Sequence, residues 1–315
     1  MDNKKIPVIL DGDPGHDDAI AWIIAAAQEC FDIRAITTVA GNQTLDKVTY
    51  NARSIAALLD LDVEVAKGRE LPLCSELITA PAFHGESGLD GADLPEPVKE
   101  ESKLSAVEVM AKVLSESDEK VTIVATGPQT NVAALLLCHP ELKDKIALIA
   151  TMGGGLVNGN RTALAEFNIA VDPEAAYIVY HSGVPIQMSG LDVCEKAYIT
   201  PEEWEKIRQM EGPVAEAVSK WLDFYFIHLK DLGWKGANMY DPCAVLSLAY
   251  PEIFTIREMN VDIDLSGEYT RGMTLADFRG FNKTNCKAVM DVDREKFVEL
   301  IIKACEKYSK EVHHG

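Results

Sequence analysis

An open, mostly parallel β-sheet with helices on both faces is the fold class this sequence predicts. Three observations predict it. Short apolar runs of strand length alternate with longer helix-like stretches. The runs are continuous rather than alternately apolar and polar, as strands buried on both faces are, and Gly or Pro turns close several of them. Residues 6–10 read as a first strand ended by a Gly/Pro turn, and residues 19–27 as the helix after it. Residues 33–39 are β-branched and strand-like, and residues 45–59 are long enough for a helix. Residues 63–66, 121–125, 146–152 and 184–188 are further short apolar strands, with helical stretches over 131–138 and 173–180. Residues 72–97 are loop-rich and acidic, an insertion over one end of the sheet, and residues 200–232 read as helical. No Ser/Gly-rich linker and no internal repeat divides residues 1–315, so one domain is expected.

Composition narrows the function. The chain is 47% hydrophobic and 25% charged, with 30 Lys plus Arg against 50 Asp plus Glu, a formal charge of −20. Nucleic acid and anionic membrane are poor partners for that field. No apolar stretch reaches the ~20 residues of a membrane span, and the apolar run before Asp11 is too short for a secretory signal. Seven scattered cysteines without a C-x-x-C pair read as reduced thiols, so a cytoplasmic protein is expected.

Ligands of open α/β sheets bind outside the carboxyl ends of the strands. Directly after residues 6–10 comes Asp11-Gly12-Asp13-Pro14-Gly15-His16-Asp17-Asp18, four carboxylates in eight positions on a turn that enters a helix. At ~4 Å and an effective dielectric of ~20, each close pair repels by ~4 kcal/mol. The helix N-terminus supplies about half a positive charge. A hard divalent cation with oxygen ligands supplies enough. A calcium EF-hand counted from Asp11 would need Gly and Glu where His16 and Trp22 stand. Residues 85–89 miss the G-x-S-x-G elbow by one position, and residues 154–160 lack the lysine of a phosphate loop.

Polar residues follow the later strands too. Gly41-Asn42, Thr126-Gly127-Pro128, Met152 with three glycines, Glu166-Phe167-Asn168 and Tyr240-Asp241-Pro242 each stand after an apolar run or before a helix. Singly they read as turn residues, caps and surface; together they describe a cation site ringed by hydroxyl-binding groups. No Lys or Arg accompanies these motifs, which argues against a phosphorylated substrate.

With these residues assembled, the chain resembles the calcium-dependent nucleoside hydrolases of the inosine–uridine-preferring type. The resemblance is carried by the signature from Asp11 to Asp18, by Ala40-Gly41-Asn42, by residues 84–91, 125–127, 152–155, 165–176, 190–192 and 241–245, and by Arg271-Gly272-Met273-Thr274. It implies a Rossmann-like open sheet, a homodimer or homotetramer, and hydrolysis of the N-glycosidic bond of ribonucleosides. Asp13, Asp18, the carbonyl of Thr126 and Asp241 would bind Ca²⁺, with an acidified water held against the anomeric carbon. Asp13 would be the general base and Asp11 would orient its neighbours. Asp17 and Asn42 would hold the 2′- and 3′-hydroxyls and Glu166 and Asn168 the 5′-hydroxyl, with Asp241, Met152 and Asn160 completing the substrate wall. One position departs from the pattern. Many members carry His immediately before the late metal-binding Asp, where it protonates a leaving purine; here Tyr240 stands there. A Tyr of pKa ~10 is poorly matched to proton donation at neutral pH, which leaves His84, Tyr225 and His228 as alternatives. Two other classes compete: a haloacid-dehalogenase-like phosphatase, which also begins strand then Asp-x-Asp, and a ribonucleoside-binding protein that has lost turnover.

Overall fold

The computed structural model describes residues 5–229 and 235–311. The first half of the chain alternates as the sequence predicts: β1 (Ile6–Gly12), α1 (His16–Ala27), β2 (Phe31–Thr38), α2 (Leu45–Leu58), β3 (Glu64–Lys67), α3 (Pro81–His84), α4 (Ala106–Glu116), β4 (Val121–Ala125), α5 (Thr130–Cys138) and β5 (Ile146–Met152). There follow α6 (Phe167–Val171), α7 (Pro173–Tyr180), β6 (Ile186–Ser189), α8 (Leu191–Cys194), β7 (Tyr198–Ile199), α9 (Pro201–Arg208) and α10 (Pro213–Leu229). The chain closes with β8 (Ala237–Asn238), α11 (Asp241–Ala249), β9 (Phe254–Ile263), β10 (Thr274–Asp277), β11 (Cys286–Val292) and α12 (Arg294–Glu311). Nine strands form one sheet in the order β10-β9-β11-β6-β5-β4-β1-β2-β3. Every pairing from β3 across to β11 is parallel, and only β9 and β10 run against their neighbours.

The continuous apolar strands are explained by a core on each face. Successive residues of a strand point to opposite sides. Val8 and Leu10 of β1 accordingly pack with α1, α10, α11 and α12, while Ile9 packs with α4, α5 and α7. Burial on both faces, worth about 25 cal/mol per Å² of apolar surface, makes the middle of β1 a costly place for a charge, and the carboxylates begin at its carboxyl end with Asp11. Strand order reverses direction of growth between β1 and β4, the switch point where open sheets bind ligands.

Three expectations differ from what is observed. Helix α1 starts at His16 rather than residue 19, because Gly15 is its N-cap and the Asp18 carboxylate accepts the Gly15 N–H at 3.0 Å. Residues 200–229 are not one helix: α9, opened by a Thr200–Glu203 capping box, ends before Gly212, whose φ of +110° breaks the run, and Pro213 opens α10, while residues 230–232 of the expected helix lie outside the described residues. The C-terminal strands stand where the sequence predicts none, since β9 is half-exposed with Arg257 and Glu258 in its middle and shows no continuous apolar run. No helix among the described residues is long and apolar enough to cross a membrane.

Candidate active site

The turn after β1 brings its carboxylates to the switch point. Asp11, wholly buried, is held by Thr37 Oγ1 and Asn131 Nδ2, which both donate to its Oδ1 at 2.7 and 2.8 Å. Its Oδ2 has no partner, and burial pushes its pKa from 3.8 to about 7. Asp11, like Asp13 and Asp18, is not among the residues that line the cavity. Asp13 receives the Asn42 N–H on Oδ2 at 2.6 Å, while its Oδ1 is buried and unpartnered. Burial, then the neighbouring Asp18, raise the Asp13 pKa well above the usual carboxylate range.

Asp18 accepts the Thr126 hydroxyl at 2.6 Å, and burial followed by Asp17 lifts it to about 6. Asp241 opens α11, which packs on α1, so two helix N-termini bring their first-turn carboxylates face to face. Burial, then Asp17, Asp18 and Asp13, push Asp241 far above its ordinary value. Asp17, Asp18 and Asp241 each offer a carboxylate oxygen within 4.8 Å of the others, all buried. Asp13 is outside that trio, and Asp17, expected from the resemblance to bind sugar hydroxyls, is inside it. Buried like charges at this separation either hold protons or hold a cation. All are hard oxygen donors, and Asp13 adds an unpartnered oxygen beside them, so the residues present fit a divalent metal.

A cavity of about 600 Å³ opens over these groups. Asp17, Asn42, Thr126, Met152, Asn168 and Asp241 form its floor and inner wall, and Asn160, Glu166, His84, Tyr225 and Tyr240 complete the walls. Asn168 Nδ2 donates to the carbonyls of Thr126 and Met152 at 2.8 and 3.2 Å, so the expected ligand carbonyl of Thr126 already accepts one hydrogen bond and retains a second lone pair. Glu166 caps α6, accepting the backbone N–H groups of Gly154, Asn168 and Ile169, and burial raises its pKa to about 7. Asn160 Oδ1 accepts the Phe167 N–H at 2.8 Å.

On the opposite wall, His84 is stacked on His16 with centroids 5.4 Å apart, and burial lowers its pKa to about 4. His16 Nε2 lies 2.8 Å from the Asp90 carbonyl and donates to it. Tyr225, 6.3 Å from His84, donates its hydroxyl to Asp17 at 3.1 Å, so it touches the carboxylate cluster as well as packing. Tyr240 is bonded to Asn238, and burial pushes its hydroxyl above its ordinary pKa. The side chain of His228 lies outside the described residues.

The profile of the inosine-uridine preferring nucleoside hydrolases matches residues 8–299. The chain belongs to that family. It is 50% identical over 301 residues to the pyrimidine-specific ribonucleoside hydrolase RihA of Escherichia coli, covering 94% of this chain and 97% of the relative. The Salmonella newport protein of the same name is 50% identical over 309 residues, 96% of this chain and 99% of the relative. Among solved structures, the purine-preferring ribonucleoside hydrolase of Gardnerella vaginalis superposes with a TM-score of 0.91 at 30% identity, over 97% of this chain and 99% of the other. The expected fold and ribonucleoside hydrolysis are thus those of the family, and the phosphatase alternative is not favoured. The ribonucleoside hydrolase site also contains residues that sequence reasoning missed. Thr37 and Asn131 hold Asp11; Asn131 could have been flagged as a polar residue at the start of an apolar helix, whereas Thr37 stands in a strand with other polar residues. Arg161, Glu195 and Asn238 line the cavity with no signal in their spacing. Arg161 also corrects the expectation that no cation accompanies the motifs: the loop after β5 folds back and sets it in the cavity lining.

Proposed function

We propose that this ribonucleoside hydrolase prefers pyrimidine nucleosides, using Asp13 as general base and a Ca²⁺ ion held by Asp13, Asp18, Asp241 and the Thr126 carbonyl. The observation that carries the preference is that His84 and Tyr240, both lining the cavity, are each buried out of the range useful for proton donation. The one is lowered by burial to about 4 and the other raised above its ordinary value, so neither is matched to protonating a purine ring at neutral pH. The names of the 50%-identical relatives point the same way. When bound, the cation supplies the positive charge that keeps the carboxylates ionised and makes a water more acidic. Asp13, through its unpartnered Oδ1, takes the proton of the attacking water. Asp17 and Asn42 hold the 2′- and 3′-hydroxyls, with Asp17 oriented by Tyr225. Glu166 and Asn168 receive the 5′-hydroxyl, while Met152 and Asn160 wall the sugar. Asp11, clamped by Thr37 and Asn131, fixes the turn that aims Asp13. Seven free thiols support a cytoplasmic enzyme, and the family resemblance supports a homodimer or homotetramer.

A nucleoside panel read by reducing-sugar release tests this reading. Uridine and cytidine should yield ribose faster than inosine, and a chelator should abolish the reaction. Asp13→Asn should bind substrate yet lose about 10²–10⁴ in kcat. Near-normal turnover in that variant, or inosine cleaved as fast as uridine, would sink the corresponding part of the proposal.

A further inference from the structure

His16 takes no part in the chemistry proposed above, yet it is wholly buried and its ring bridges the two ends of one tight loop. Its Nδ1 lies 3.2 Å from Nδ1 of His84, where the loop begins, and its Nε2 lies 2.8 Å from the carbonyl of Asp90, where it ends. The loop is closed on itself. The Asp90 N–H donates to the His84 carbonyl at 3.3 Å, and the Asp90 carboxylate accepts the N–H groups of Glu86 and Ser87. Phe224 stacks on the His16 ring at 4.9 Å and Tyr225 packs at 5.0 Å, so the ring is held in place.

These contacts fix where the protons sit. A carbonyl only accepts, so Nε2 of His16 carries hydrogen, and in the neutral ring Nδ1 is then an acceptor. At 3.2 Å from it, Nδ1 of His84 is the donor. The His16 backbone N–H reaches the same His84 atom at 3.4 Å, a longer contact that does not offset two lone pairs set against each other. A second proton on His16 would also remove that clash, but it would leave a charge on a ring with no exposed surface. With hydrogen on Nδ1, His84 keeps its lone pair on Nε2. That nitrogen has no partner among the described residues and is not sealed from solvent, and His84 lines the cavity. Burial, which lowers the His84 pKa to about 4, keeps the ring neutral near pH 7.

We propose that His16 is a positioning residue that holds His84 as a hydrogen-bond acceptor. The Nε2 lone pair of His84 receives an N–H of the base or an O–H of the ribose, and His84 gives no proton to the leaving base. The role rests on the proposed function, which puts a nucleoside in this cavity. An acceptor of this kind binds the nucleoside and the transition state alike, so its loss is felt in KM rather than kcat.

Two measurements on the full chain with Ca²⁺ present test the role. Long-range ¹H–¹⁵N correlation spectra of the histidine-labelled chain at neutral pH distinguish protonated from bare ring nitrogens. They should show hydrogen on Nε2 of His16 and on Nδ1 of His84. Hydrogen on Nε2 of His84, or on both nitrogens of His16, overturns the proposal. Kinetics on uridine give the second measurement. His16→Gln can still donate an amide N–H to Asp90 but places no acceptor at the Nδ1 position. It should raise KM by about 2- to 10-fold, the range for a neutral hydrogen bond, with kcat moving less. His16→Asn puts an amide oxygen at the Nδ1 position and should recover most of that loss. A mere anchor for Asp90 would rank the two variants in the opposite order, and a fall in kcat at unchanged KM would mark His84 as a proton donor; either overturns the proposal. Repeating the His16→Gln comparison on 3-methyluridine, which lacks the N3–H, identifies the donor: an effect that vanishes assigns the base, and one that persists assigns the ribose. If the variants do not fold, the spectra of the native chain still decide. A native chain that leaves uridine intact refutes nucleoside hydrolysis, while the spectra judge the two tautomers separately.

Discussion

Tyr240 stands where the resemblance leads one to expect His, and its surroundings make that difference consequential. Its hydroxyl is bonded to Asn238 and pushed by burial away from any useful acidity. A purine leaving group needs a ring proton more than a pyrimidine does, so the Tyr240 position should set the ratio between them. Tyr240→His should raise kcat/KM for inosine more than for uridine, because an imidazole near pKa ~6.5 is matched to neutral pH. Tyr240→Phe should change neither much. An unchanged inosine-to-uridine ratio in the His variant would show that the proton comes from elsewhere. At this scale the sequence was legible where one motif concentrated charge, as in the run from Asp11 to Asp18. It was silent where a side chain reaches the site from a distant element. Tyr225 meets Asp17 from 208 positions away, and Asn131 meets Asp11 from 120. Nothing in their local spacing announces either contact.

Elements position the proposed base, Asp13, through their ends. The turns after β2 and β4 both press on Asp13: a Cβ on Gly127 would stand 2.5 Å from Asp13 Oδ1, and one on Gly41 would collide with Oδ2. Neither glycine is needed for a left-handed backbone; both are needed for room. Gly127→Ala should therefore push the Asp13 carboxylate aside while the sheet persists. Because a misplacement of about 1 Å can cost about 10²-fold in rate, kcat should fall by roughly that much with only a small change in thermal midpoint. Activity near that of the native chain would mean that Asp13 has slack or is not the base. Elements buried on both faces, such as β1, β4 and β5, were readable because a short, continuous apolar run closed by a turn fits little besides a strand covered on both sides. Strand β9 was not readable, since one face meets solvent and its pairing with β11 is a long-range fact. The break between α9 and α10 was written in Gly212-Pro213, yet the amphipathic stretches on either side masked it.

At the scale of the whole molecule, the proposed cation should be coupled to the fold through protons. Burial raises Asp11 from 3.8 to about 7 and Asp18 from 3.8 to about 6. Without a cation, the folded chain keeps protons on these groups between about pH 4 and 7 that the unfolded chain has released. By linkage, the stability that these protonated carboxyls contribute is fully present below their ordinary pKa of 3.8 and is lost as pH rises through about 6 to 7. A cation binds the ionised form, so its stabilisation must grow across the same window. The chelated enzyme should therefore lose thermal midpoint steadily from about pH 4 to about pH 7. Adding Ca²⁺ should do little near pH 5 and raise the midpoint by about 5 °C above about pH 7, when the ion is present at about 100 times its Kd. Differential scanning calorimetry with chelator and with Ca²⁺ at several pH values measures both curves. A Ca²⁺ increment of the same size at both ends of that pH range would show that the ion displaces no protons, and would move the cation away from the buried carboxylates at the end of β1.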